Sequence, residues 1–378
     1  MSTETLHITA GFIPLLDAAM LIVAREKGFA ADQAIDLELV RETSWASIRD
    51  RVVIGHFDAA HMLAPMAIAG SLALPPLPMP FVAPIALGTG RNAITVSNDL
   101  WQLLADTGLE DGADAARAVK ALAKAKQAAM ADRPLVFAAV HTYSAHAYLL
   151  RYWLAEGGLF EGRDVRFEFV PPPFMGDALA SGAIDGCCVG EPWNTAAVAN
   201  GHGRVLTTGD QIWAGGPDKV LGMREDWASK NPRSVHSLVR ALQAAALWAD
   251  DPQNTQELAE ILSGPAYLDT SVNWLLPGLS GEMSCSKSGF ARGGASLPDR
   301  SHAIWFAAQM ARWGEVELSA SMVDAAAATY QPDVFAEALG DEHRAGAADE
   351  KGATCQLFDA REFNPEQLDD YLAAFQKP

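Results

Sequence analysis

One pattern occurs twice in this chain, about 130 residues apart, and it limits the fold more than any other feature. Residues 37–69 read as a strand, a polar loop and a helix, then Gly55-His56-Phe57-Asp58-Ala59-Ala60, an apolar run and Pro65. Residues 166–199 repeat that order through Gly182-Ala183-Ile184-Asp185-Gly186-Cys187 to Pro192. Two similar α/β units in one chain predict two lobes facing each other, with a small ligand held in the cleft between them.

The length of 378 residues is enough for two lobes, each with its own core. A net charge of −19 argues against unaided binding to nucleic acid or to an anionic membrane. It leaves room for a small anion site, because donors at contact distance overrule a distant field. No apolar run approaches the roughly 20 residues that span a bilayer. The chain enters a strand near Leu6 without the charged, apolar and small-residue pattern of a leader, so a cytoplasmic location is expected. Cys187, Cys188, Cys285 and Cys355 match no zinc spacing and are read as free thiols.

Along the chain, residues 6–12, 35–40 and 58–63 read as strands, with helices over 17–27 and from 45 to about 55. Asp17 is taken as the first helix's N-cap and Gly28 as its stop. This βαβαβ order predicts doubly wound parallel sheets with binding at the strand carboxyl ends. Residues 74–84 hold five prolines and exclude a central strand. Residues 85–96 and 204–208 are assigned as crossings between lobes. Residues 101–131 read as one or two exposed helices. Strands at 135–140, 165–170 and 185–189 and a helix at 146–157 build the second lobe. The expected domains are 1–91 with 207–378 as a discontinuous lobe I, and 92–206 as lobe II. Helices follow at 232–249, 254–262, 269–276, 302–313 and 319–328, with loops at 278–297 and 341–351.

No GxSxG elbow, phosphate loop, HExxH or GxGxxG signature is present, and the histidines lack metal-ligand spacing, so no catalytic or metal residues are assigned. Several donors do fall where a cleft ligand would sit. Trp45 stands at the first turn of a helix, where free backbone N–H groups favour an anion, and its indole donates without accepting. A packed aromatic at a helix start is the other reading. His146 follows the strand-to-helix loop at the matching edge of the second lobe, or else faces solvent. Lys219 lies in Gly215-Gly216-Pro217-Asp218-Lys219; next to an aspartate, it also reads as a solvated surface pair. Asn92 in the first crossing offers an amide or forms a turn. Glu191 before Pro192 reads as structural, and Cys187-Cys188 as core.

Gly11-Phe12-Ile13-Pro14-Leu15, Thr43-Ser44-Trp45-Ala46-Ser47, Arg151-Tyr152-Trp153-Leu154, Pro171-Pro172-Pro173 and Val189-Gly190-Glu191-Pro192-Trp193-Asn194 resemble the nitrate- and bicarbonate-binding proteins of bacterial ABC transporters. Leu221-Gly222-Met223-Arg224 completes the set, and the likeness runs from about residue 7 to about residue 340. The resemblance implies a type II periplasmic-binding fold closing on a small oxyanion. It implies ligand contacts from Trp45, His146 and Lys219, with Asn92 in the place of a glutamine one methylene longer. Lys219 favours nitrate, with nitrite as second ligand, because the family's bicarbonate sites carry an acidic residue there and recruit a metal.

With no leader, the chain is most similar to cytoplasmic NasS-type nitrate sensors. That resemblance implies an RNA-binding antiterminator partner (NasT-type), released by nitrate so that nitrate-assimilation genes are read through. No cofactor, direct nucleic acid or membrane is expected. The alternative is the substrate-binding subunit of a nitrate ABC transporter. An enzyme on the same fold, to which Cys187-Cys188 lend a faint similarity with thiamine-pyrimidine synthases, ranks below both.

Overall fold

The computed structural model describes residues 5–76, 78–281, 289–340 and 357–375. The charged stretch 341–351 and part of the 278–297 loop lie outside these residues, as do Cys285 and Cys355.

Ten strands form two five-stranded sheets, each flanked by helices. They are β1 (Leu6–Phe12), β2 (Ile35–Arg41), β3 (Ala59–Leu63), β4 (Phe81–Val82), β5 (Asn92–Ser97), β6 (Leu135–Ala139), β7 (Val165–Phe169), β8 (Gly186–Gly190), β9 (Gly203–Thr208) and β10 (Lys219–Arg224). The first sheet runs β2-β1-β3-β10-β4 and the second β7-β6-β8-β5-β9. The two orders are the same once relabelled, so the repeated sequence pattern is a repeated topology. This is the two-lobed mixed α/β architecture of periplasmic-binding proteins.

Neither sheet is purely parallel. β10 runs antiparallel to β3, and β5 antiparallel to both β8 and β9. The expected all-parallel sheets fail because the two crossing segments are themselves strands: Asn92–Ser97 lies inside the second sheet and Gly203–Thr208 forms its edge. The N-terminal part of the first crossing runs along the first sheet, where Ala86 bridges Val220 of β10 and Thr89 bridges Pro217.

Local chemistry sets the helix starts that matter for the cleft. Ser44 accepts from the Ser47 N–H at 3.1 Å and begins the helix Trp45–Val53. Ser144 accepts from Ala147 N–H at 3.1 Å and begins Ala145–Glu156. Each cap satisfies one of the orphan donors of a first turn. Gly28 stops the first helix at φ 81°, a left-handed conformation that glycine adopts without steric cost. Asp17 does not cap that helix. It sits in a 3₁₀ turn, Leu16–Ala18, ahead of the helix Ala19–Glu26, and its carboxylate is used elsewhere.

The helix Ala145–Glu156 is buried on every side from Ala145 to Leu154, which is why its sequence lacks a polar face. One side packs on β8, and the other meets the C-terminal helices. Tyr152 donates to Asp359 at 2.8 Å, and Trp305 on the helix Arg300–Arg312 donates to Tyr371 at 3.0 Å. Residues 357–375 therefore touch elements of both lobes. Among the described residues no helix is long and apolar enough to cross a membrane.

Candidate functional site

The starts of four elements bring the four sequence-predicted residues together between the lobes. Trp45 opens its helix, Asn92 opens β5, Lys219 opens β10, and His146 is the second residue of Ala145–Glu156. His146 and Lys219 are 0% exposed, so neither the solvent-facing histidine nor the solvated lysine–aspartate pair describes the protein. Lys219 is also not in a loop: it pairs with Leu63 across the β10/β3 ladder.

Three further residues complete the cluster. The antiparallel register sets His61 opposite Leu221, which places His61 and Lys219 on one face of the first sheet. Asp17 then reaches both: its carboxylate lies 2.8 Å from Lys219 Nζ and 2.8 Å from His61 Nε2. Asp218 is the ammonium's second carboxylate partner. The Lys219 ammonium stands 5.6 Å from the centre of the Trp45 ring, within cation–π range, and His61 meets that ring edge-on at 5.2 Å. Lobe I thus presents a closed loop of contacts: Lys219, Asp17, His61, Trp45 and back to Lys219.

Lobe II contributes differently. Both ring nitrogens of His146 and Oδ1 of Asn92 are buried with no hydrogen-bond partner, as is Nε1 of Trp45 facing from lobe I. The nearest charge to His146 is Asp218, 3.8 Å away. Gly190 at the end of β8 keeps these groups in one space. A Cβ there would lie 3.4 Å from Asn92 Oδ1, 3.8 Å from His146 Nε2 and 3.3 Å from Leu15. A buried unpaired donor or acceptor costs about 1–3 kcal/mol. Asn92 Oδ1 and His146 Nε2, both within 4 Å of one point beside Gly190, form an open polar corner.

The electrostatics follow from burial and pairing. Burial alone would raise the Asp17 carboxyl, but Lys219 and His61 outweigh it and hold the group well below the usual carboxylate range. Burial would discharge Lys219, yet Asp17 and Asp218 push its pKa above the ordinary value, so it stays an ammonium. For His146 desolvation prevails over Asp218, and its pKa is lowered to about 4. Burial raises Glu191 to about 7 and Cys187 to about 12, so Cys187 is core, not nucleophile.

The Gly-Glu-Pro-Trp-Asn run joins the lobes beside this cluster. Trp193 Nε1–H donates to the Pro14 carbonyl at 2.9 Å, and Leu16 N–H donates to the Glu191 carbonyl at 2.9 Å. Asn194 serves the second sheet, accepting from Thr95 at 2.8 Å and donating to Val189 O at 2.7 Å. Among the described residues there is no cluster of three or more His, Cys, Asp or Glu placed to hold a metal. The donor set of one ammonium, an indole, an imidazole and an amide suits a small anion with several weak acceptors.

The NMT1-like family model matches residues 2–263. The chain is 33% identical to the nitrate/nitrite binding protein NrtA of Synechococcus elongatus, over 98% of this chain and 86% of that protein. It is 35% identical to the nitrate import ATP-binding protein NrtC of Synechocystis, where 98% of this chain covers 55% of the relative; it spans about half the length of such ATP-binding relatives. Among solved structures it resembles the periplasmic nitrate-binding protein NrtA of Synechocystis with a TM-score of 0.88 and 28% identity, covering 99% of each chain.

Proposed function

Because this chain belongs to the NMT1-like family, we propose that it is a binding protein, not an enzyme, that captures nitrate or nitrite between its two lobes. One observation carries the reading: the unpaired buried nitrogens of Trp45 and His146 lie beside the doubly held ammonium of Lys219. Nitrate is a flat monoanion with three weak acceptors and no proton to donate. A single cation with fixed neutral donors replaces its hydration shell without burying excess positive charge. In this reading Trp45 donates its indole N–H and His146 a ring N–H; Asn92 turns its Nδ2 to the anion in place of the acceptor Oδ1 that stands open. Lys219 supplies the charge.

The cellular setting best supported is capture for an ABC transporter, since the NrtA relatives align along nearly the whole chain. The second setting is a cytoplasmic sensor that holds an RNA-binding antiterminator until nitrate arrives. Its support is the sequence resemblance together with the net charge of −19, which complements a basic RNA-binding partner. In population-shift terms, that partner must prefer one lobe arrangement and nitrate the other.

Thermal stabilisation tests the ligand. Nitrate and nitrite should raise Tm, with ligand at a hundredfold over Kd adding about 2.7 kcal/mol, while sulfate and chloride leave it unchanged. Equal stabilisation by all four salts would remove the nitrate reading. Mixing the protein with its candidate antiterminator and titrating nitrate separates the settings: only a sensor forms a complex that nitrate dissolves.

A further inference from the structure

The cluster between the lobes carries an imbalance of charge. Asp17 and Asp218 place two carboxylates on the one ammonium of Lys219, all buried, which leaves one negative charge in excess before any anion arrives. The next cation outward, Arg91, feels Asp17 but is held more strongly by Asp250 and is also faced by Asp210, so the surrounding groups bring no net positive charge to correct it. Its guanidinium donates to the Gly289 carbonyl and stacks on Phe290 at 3.7 Å. A second negative charge in a space closed to water is strongly unfavourable unless something balances it.

We propose that anion capture here takes up one proton from solution, accepted by the ring of His146, so that the net charge of the cluster is the same with and without ligand. The inference rests on the reading of the cleft as a nitrate or nitrite site. His146 is suited to the role because neither ring nitrogen has a partner, so one can hold the incoming proton while the other faces the anion. His61, the other imidazole, is not suited: its Nδ1 already accepts the Ile13 N–H at 3.4 Å, and its Nε2 lies 2.8 Å from Asp17.

The groups acting on His146 are Asp218 and Asp17, which favour its protonation, and Lys219 and His61, which oppose it. Cys188 on β8 also lies within the field of Asp218 and Lys219, whereas the Glu191 carboxyl packs beside Gly278 and accepts the Thr195 N–H. Glu191, with its carboxyl raised to about 7, is the competing acceptor. In the ligand-free form His146 is neutral above about pH 4. An adjacent anion raises its pKa, so the complex binds more protons than the free protein, and affinity falls as pH rises through that window. A dianion would need a second proton, and Glu191, the competing acceptor, takes the Thr195 N–H at 3.2 Å at its own helix start instead of pairing with Lys219. Sulfate is therefore excluded by charge as well as by shape.

Calorimetric titration of the full chain with sodium nitrate, in buffers of different ionisation heat, reads the proton directly. Between pH 5 and 7 we expect uptake of about one proton per nitrate, and Kd rising up to tenfold per pH unit. His146→Gln keeps an N–H donor but takes no proton; it should bind with a Kd flat across that range and no uptake. Wild-type nitrate binding with no uptake and a flat Kd overturns the proposal while leaving the nitrate reading intact. Uptake that survives in His146→Gln and disappears in Glu191→Gln overturns it by moving the proton. Sulfate binding as tight as nitrate also overturns it. Absence of any heat or thermal shift with nitrate and nitrite sinks the ligand reading itself, and the proposal with it.

Discussion

The two halves of the candidate site are built on opposite principles. In lobe I the charged groups hold one another: Asp17 grips Lys219 and His61, and His61 meets the Trp45 ring, whose indole N–H stays open. In lobe II, His146 and Asn92 present atoms that hold nothing. The contrast teaches how such a cleft can be both ordered and receptive. The charged half is fixed by its own pairing, because an unpaired buried charge is the costliest thing a fold can carry. The neutral half can leave groups open at about 1–3 kcal/mol each and recover that on binding.

The sharpest way to break the comparison is to remove the cation. Lys219→Met strands two buried carboxylates, so it should abolish nitrate binding by calorimetry and cost about 3–5 kcal/mol in denaturant unfolding. Lys219→Glu should be worse still, setting three carboxylates together. His146→Leu probes the open half and should behave in the opposite way. Binding should fall on the order of a hundredfold, while stability is unchanged or raised by about 1 kcal/mol, since an unsatisfied buried group is lost. A drop in Tm as large as that of Lys219→Met would show that the halves are not different in kind. Trp45→Phe keeps the ring beside His61 but removes the indole donor, and should weaken nitrate about tenfold at nearly constant Tm. Trp193→Phe deletes one hydrogen bond across the lobes. A loss of up to about 1 kcal/mol in closure should appear as a Kd change of a few-fold, measured at fixed pH.

Much of this arrangement was legible in the chain, for identifiable reasons. Trp45 stands directly after its Ser cap and His146 one residue further on from Ser144, and a capped helix start is a local signal. Asp17 has a satisfactory local explanation as an N-cap that hides its pairing with Lys219, and the Asp218–Lys219 pair reads as solvated where the fold buries it. The missed clue for Asp17 is its setting: it is the lone charge within residues 8–24, a stretch too apolar to be a surface helix. His61, alone in the apolar strand Ala59–Leu63, carried the same signal. The antiparallel placement of β5, β9 and β10 had no such clue. It depends on pairings between segments about 100 residues apart or more, which period and turn chemistry do not encode. The resemblance to a known family supplied what local chemistry could not, the joint membership of Trp45, Asn92, His146 and Lys219 in one site.

The short stretch from Ile13 to Ala18 links two tasks that could have been kept apart. Its carbonyl at Pro14 and N–H at Leu16 are fastened to Trp193 and Glu191 of the opposite half, while Asp17, one position further on, steers the ammonium. Any swing of the jaws must tug the same few peptide units that aim the charge. Grip and gape are geared together, so a partner able to feel how wide the jaws stand would also learn whether they are full.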